Sequence, residues 1–138
     1  MRPLSEIETR IAALGASSDA AAAARELLHL GEEVLEHWIT ARGAVPTNQT
    51  REGFRLLALH RQGARGAPSF NACRETCREL VYHYNLISLD PAHPDTARRL
   101  AMAAMLANHL YLFVTGKMQV EKLGEFCCSS RPLHAGAS

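Results

Sequence analysis

Cys73 and Cys77 stand one helical turn apart, and thiolates are both strong ligands for soft metals and strong nucleophiles, so this pair is the first place to look for chemistry. His60 and His109 bring imidazoles to the same end of the chain's expected helical packing, which makes a Cys2His2 set suited to zinc or iron at ~2.0–2.3 Å bond lengths. The Cys-x3-Cys spacing differs from zinc-finger knuckles. The competing reading makes both cysteines small core residues, with His60 at a helix boundary and His109 donating to a backbone carbonyl. A vicinal pair, Cys127-Cys128, lies near Lys117 and Lys122; if exposed it would be redox-active or bind a soft metal, and packing beside Phe126 is the preferred reading.

Glu33-x3-His37 and Glu79-x3-His83 repeat one spacing on two predicted helices and form a Glu2His2 set, with His29 extending the first pair by a turn. The set resembles the carboxylate and imidazole ligands of di-iron and di-manganese bundle proteins. It departs from the ferritin-like Glu-x-x-His pattern by one residue and has fewer histidines at matching places than haemerythrin-like proteins. Glu33 and Glu79 fall outside the apolar stripes, so intrahelical Glu-His pairs on solvated faces explain the spacing more simply.

Charge is distributed unevenly. The formal net charge of +1 excludes a chain built for nonspecific attraction to nucleic acid or anionic lipid. Residues 50–78, however, hold Arg51, Arg55, Arg61, Arg65, Arg74 and Arg78 against only Glu52 and Glu75, whereas residues 1–47 hold four arginines against seven acidic residues. Arg61, Arg65, Arg74 and Arg78 make an arginine-rich face. Beside it, the run from Gly63 to Ser69 leads into a helix whose N-terminus, capped by Ser69, would offer free N–H groups to an anion. The expected ligand is an acidic partner or an anionic small molecule; the competing reading is a glycine-rich connection with solvated arginines. No Walker-type lysine and no preceding strand accompany the loop, which argues against nucleotide hydrolysis. Glu75 and Glu79 interrupt the surface around Arg74 and Arg78, and aromatic residues are few, so nucleic acid is not the expected partner.

Covalent catalysis would need a nucleophile, a base and an oxyanion site. Cys73 or Cys77 with His60 or His83 would supply the first two and nothing supplies the third, so the reading leans against an enzyme and assigns no catalytic residue.

The elements that must position these groups are helical. The 138 residues carry 47% hydrophobic side chains and 22 alanines and 18 leucines against 9 glycines and 6 prolines, a helix-favouring balance with enough apolar content for a core. A capping box, Ser5-x-x-Glu8, predicts a first helix to about Leu14. Asp19 opens a second to about Arg42, with Gly31 inside its apolar stripe, where a close helix crossing is expected. The third spans roughly residues 50–62, and the fourth runs from Ser69 to Leu86 or Ile87. The fifth follows the break at residues 90–95 and is ended by Gly116 near Thr115. It is nearly apolar all round, and its run from Leu100 to Val114 is too short for a membrane span, so it should be the most buried helix, at the centre or at a subunit interface. A short amphipathic segment with Met118, Val120, Leu123 and Phe126 follows.

These elements predict an all-α protein: an up-down bundle of four main helices with a short N-terminal helix and a C-terminal amphipathic segment, a single domain over residues 1–128 and a flexible tail over 129–138. With no signal-like N-terminus and no disulfide-type cysteine framework, the expected setting is cytoplasmic. The functional expectation is a non-enzymatic binding or accessory module, a homodimer that docks an acidic partner or anionic ligand at Arg61, Arg65, Ser69, Arg74 and Arg78. The alternative is a transition-metal-binding or redox-responsive bundle using His60, Cys73, Cys77 and His109, followed by the Glu/His di-metal site.

Overall fold

Where alanine and leucine dominate, the chain is helical. The computed structural model describes residues 1–122 and contains five α-helices: α1 (Leu4–Leu14), α2 (Ala20–Ala41), α3 (Arg55–Gly63), α4 (Arg74–Leu89) and α5 (Thr96–Val120). A 3-10 segment, Pro68–Cys73, leads into α4. Among the described residues the only extended pairing is the single bridge between Arg51 and Phe54. Leu123, Phe126, Cys127, Cys128 and the expected tail lie outside the described residues.

The centre of the molecule is α2, which packs against α1, α3, α4 and α5. Leu27, Leu30, Val34, Leu35 and Trp38 are fully buried along it, the outcome expected of an apolar stripe at helical spacing. Gly31 marks where the helices close on one another. A Cβ there would lie 3.2 Å from Leu56 of α3, 3.3 Å from Leu80 of α4 and 3.6 Å from Leu110 of α5. The absence of a side chain at this one position therefore lets three helices approach α2 together, as the glycine in the stripe suggested.

Several local expectations change. Helix α1 starts at Leu4 with Pro3 in the capping position, and the Pro3 carbonyl accepts from the backbone N–H groups of Glu6 and Ile7, so Ser5 sits inside the helix and forms no capping box. Asp19 does cap α2, its side chain accepting from the Ala22 N–H at 3.2 Å. Helix α3 starts five residues later than expected, because Glu52 and Gly53 both take positive φ (54° and 86°) and turn the chain back so that Arg51 and Phe54 exchange backbone hydrogen bonds. Two consecutive positive φ values are those of a tight I′-type turn. Gly116 does not end α5. It stays helical and costs only propensity, ~1 kcal/mol, while Met118 beyond it is buried. Nor is α5 buried all round: Met102, Met105 and Leu112 are 37%, 57% and 53% exposed.

Candidate functional site: an arginine-lined groove over a buried thiol pair

The arginines singled out from the sequence come from two helices and meet across a groove. Arg61 lies in the last turn of α3 and Arg65 just after it; Arg74 and Arg78 lie one turn apart at the start of α4. These four, with Arg51 from the turn before α3, line a cavity of about 310 Å³ whose wall also includes His60 and Asn71 and contains no carboxylate. A neighbouring cavity of about 560 Å³ on the other side of α3 shares Arg51, Arg61 and Arg65. The missed member is Arg51. The signal that would have placed it is the Glu52-Gly53 pair, a turn sequence that folds Arg51 back onto α3.

The arginines differ in how far they are already satisfied. Arg78 forms a two-pronged pair with Glu52 at 3.0 and 3.1 Å. The Arg78 hydrogen bond holds the Glu52 carboxyl below the usual range, and Arg74 reaches Glu75 at 3.3 Å. Arg61 and Arg65 are exposed and have no ion-pair partner among the described residues. The acidic first third is the opposite case: Glu33 is paired with Arg2, Glu26 with Arg10, and Glu32 and Glu36 with Arg55. Along the wall of this groove, the charge left without an ion pair among the described residues is thus positive and sits at Arg61 and Arg65.

Ser69 does not join the groove. It lies within the 3-10 segment rather than at the cap of an α-helix, and its hydroxyl accepts from Lys117 of α5 at 2.6 Å. The N-cap of α4 is Cys73.

Below the groove wall, the chain carries its buried polar chemistry. His60 is 4% exposed and Cys73 and Cys77 are 2% and 1% exposed. The Phe70 carbonyl accepts from His60 Nε2 at 3.2 Å and from the Cys73 thiol at 3.3 Å. The hydrogen bond from Cys77, reinforced by His60, brings the Cys73 thiol down to about 6, while the same contact and burial push Cys77 up. Packed above are Trp38 and Phe70, stacked at 4.6 Å, with the Trp38 indole N–H donating to the Gly63 carbonyl at 2.9 Å.

The metal-ligand sets expected from spacing are not assembled. Among the described residues no group of three or more His, Cys, Asp or Glu side chains is placed to hold a metal ion. His60, Cys73 and Cys77 do neighbour one another, but their polar atoms are turned to the Phe70 carbonyl and to each other, and His109 is on the exposed side of α5. In the Glu/His set, Glu33 binds the Arg2 guanidinium, His37 Nε2 donates to the Arg2 carbonyl at 2.7 Å, and His83 Nδ1 turns back on the Glu79 carbonyl of its own helix at 2.9 Å. Local partners have taken Glu33, His37 and His83 before a second helix could supply another ligand.

No family model, curated protein or solved structure matches this chain. No helix of the described residues is long and apolar enough to cross a membrane.

Proposed function

We propose that the protein is a non-enzymatic binding module that captures carboxylate or phosphate groups, from an acidic partner or an anionic small molecule, in the groove between α3 and α4. The observation that carries this reading is the pair Arg61 and Arg65, unpaired and exposed, on a wall shared with Arg51, Arg74 and Arg78 and free of carboxylates. Guanidinium groups present paired N–H donors that match both oxyanions, and several together retain attraction at physiological salt better than one. Arg74 and Arg78 are held by Glu75 and Glu52 at the rim, so an incoming anion competes with these glutamates and binds first where no exchange is needed, at Arg61 and Arg65.

The up-down order of four main helices, a cytoplasmic setting and self-association complete this reading. Support for self-association comes from the outward face of α5, where Met102, Met105, His109 and Leu112 follow the three-and-four spacing of a helix-pairing seam and are exposed.

Titration of the full chain with a poly-glutamate peptide and, separately, with inorganic phosphate tests the groove. The reading expects binding that weakens as ionic strength rises and that falls at least tenfold in an Arg61→Glu/Arg65→Glu chain of unchanged melting temperature. Equal binding by the two chains refutes it.

A further inference from the structure

We propose that the occupant of the arginine groove is an extended segment of acidic polypeptide that crosses the end of α3 and continues to Arg42. The proposal rests on the groove reading above and carries it further, to the class of ligand. Its basis is a run of three cavities. The groove of about 310 Å³ adjoins the cavity of about 560 Å³ across Arg61 and Arg65, and a third, of about 220 Å³, opens between Arg65 and Arg42, the C-cap of α2. Arg65 lines all three. Arg42, Arg51, Arg61, Arg65, Arg74 and Arg78 thus follow one another around the end of α3, and among the described residues none of the three walls contains a carboxylate. Beyond Arg78 the sign changes, because the next cavity is lined by Glu52, Glu75 and Glu79. The basic path therefore ends at Arg78 on one side and reaches Arg42 on the other.

Spacing and shape favour an extended chain. Arg74 and Arg78 stand four residues apart in α4, a rise of ~6 Å, and same-side residues of an extended strand repeat every ~6.6 Å. Alternate acidic side chains of such a strand therefore fall nearly in step with successive guanidiniums. A lone carboxylate or phosphate reaches the arginines of one cavity and leaves the others unmatched. The second cavity is also built before any ligand arrives. The Gln62 side chain accepts from the Thr47 N–H and donates to the Val45 carbonyl, both at 2.8 Å, and Arg55 donates to the Thr47 carbonyl at 2.9 Å. These bonds fix residues 45–47 to α3 as the outer wall, which limits the ordering cost of binding.

The carbonyl end of a helix repels anions, but here internal donors cover it. The His60, Gln62 and Gly63 carbonyls accept from the Ala64 N–H, the Arg65 N–H and the Trp38 indole. Single-stranded nucleic acid would bring phosphates to the same path, yet it holds to basic channels by stacking bases on aromatic rings. The rings that line the three cavities are His60 and Trp38, at 4% and 0% exposure, with Trp38 packed on Phe70 and under Arg42. They offer bases no platform, and a peptide needs none.

The test compares tri-glutamate, nona-glutamate and a thymidine decamer by calorimetry at one ionic strength, on the full native chain and on Arg42→Gln. The native chain is expected to bind nona-glutamate at least tenfold more tightly than tri-glutamate and more tightly than the decamer. In Arg42→Gln the ratio of the two peptide affinities is expected to narrow at least threefold. Because the ratio is taken within one chain, a loss that affects both peptides alike cancels. Equal affinity for the two peptides, an unchanged ratio in Arg42→Gln, or tighter binding of the decamer overturns the extended-peptide assignment and leaves the groove itself standing. Binding of neither peptide by the native chain removes both.

Discussion

His60 and Cys73 share one acceptor, the carbonyl oxygen of Phe70, at 3.2 and 3.3 Å. The shared oxygen ties the end of α3 to the start of α4, and therefore ties Arg61 and Arg65 to Arg74 and Arg78. The two walls of the groove are held in register by the bond from His60 to this carbonyl, which does not depend on the Cys73 proton, rather than by the arginines, whose like charges would separate them. Phe70 also anchors this region by stacking on Trp38 and contacting Phe113 of α5.

That anchor predicts a strong effect at Gly63. A Cβ there would lie 2.9 Å from Trp38 Cδ1 and 3.1 Å from Phe70 Cε2, against rings that cannot yield without leaving their stack. Gly63→Ala should cost about 1–3 kcal/mol and alter Trp38 fluorescence. Gly31→Ala meets only leucine methyl groups, at 3.2 Å or more, and recovers helix propensity of ~1 kcal/mol, so it should cost clearly less. Denaturant melts of the two variants check the order; a Gly31→Ala chain less stable than Gly63→Ala contradicts it.

The pairing of Arg55 makes a second stability prediction. Its guanidinium bridges Glu36 and the largely buried Glu32. Arg55→Ala leaves Glu32 with only His29 beside it, and an unpaired buried acceptor costs about 1–3 kcal/mol. Urea unfolding measures this; a loss within the few tenths typical of surface changes would show that solvent already satisfies Glu32.

The Cys73 thiol predicts a pH dependence. Its value falls to about 6 in the folded chain through the Cys77 hydrogen bond and His60, and an unfolded cysteine titrates near ~8.5. A group depressed by folding stabilises the native state fully above its unfolded value, and this contribution is lost as pH falls toward the folded one. Thiolate ultraviolet absorbance should therefore decline between pH 7.5 and 5, and the stability advantage over Cys73→Ser should shrink over pH 8 to 5. Cys77, pushed the opposite way, stays protonated through this window. Absorbance that is flat from pH 5 to 7.5 contradicts the assignment.

Much of this was legible in the chain because the relevant signals are local. The helix over residues 20–41 follows from one apolar stripe with Asp19 at its cap, and Gly31 in that stripe announced the close crossing that the structure contains. The arginine face was legible because Arg61/Arg65 and Arg74/Arg78 each stand four residues apart, a spacing that keeps both members of each pair on one side of the chain. What escaped depends on competition for partners. Ser69, Glu33, His37 and His83 have the right side chains for the roles expected of them, but Lys117, Arg2 and nearby carbonyls claim them first. The centrality of α2 was also hidden, since the more continuously apolar α5 turns Met102, Met105 and Leu112 outward.

That outward face carries its own prediction. Met105→Glu places a charge in the middle of the exposed seam without touching the core, because Met105 is 57% exposed. If two copies pair through α5, sedimentation at micromolar concentration should move from dimer to monomer at an unchanged melting temperature. A native chain that sediments as a monomer, or a variant that remains dimeric, excludes this face as the contact.

The most direct test of the account is the affinity of the groove for poly-glutamate peptide, measured by calorimetry on the native chain and on Arg61→Glu/Arg65→Glu. These two side chains are exposed and free of ion pairs among the described residues, so their reversal should leave the fold intact. The account predicts salt-sensitive binding by the native chain and at least a tenfold loss in the variant. Absence of binding by the native chain, or equal binding by both, would contradict it.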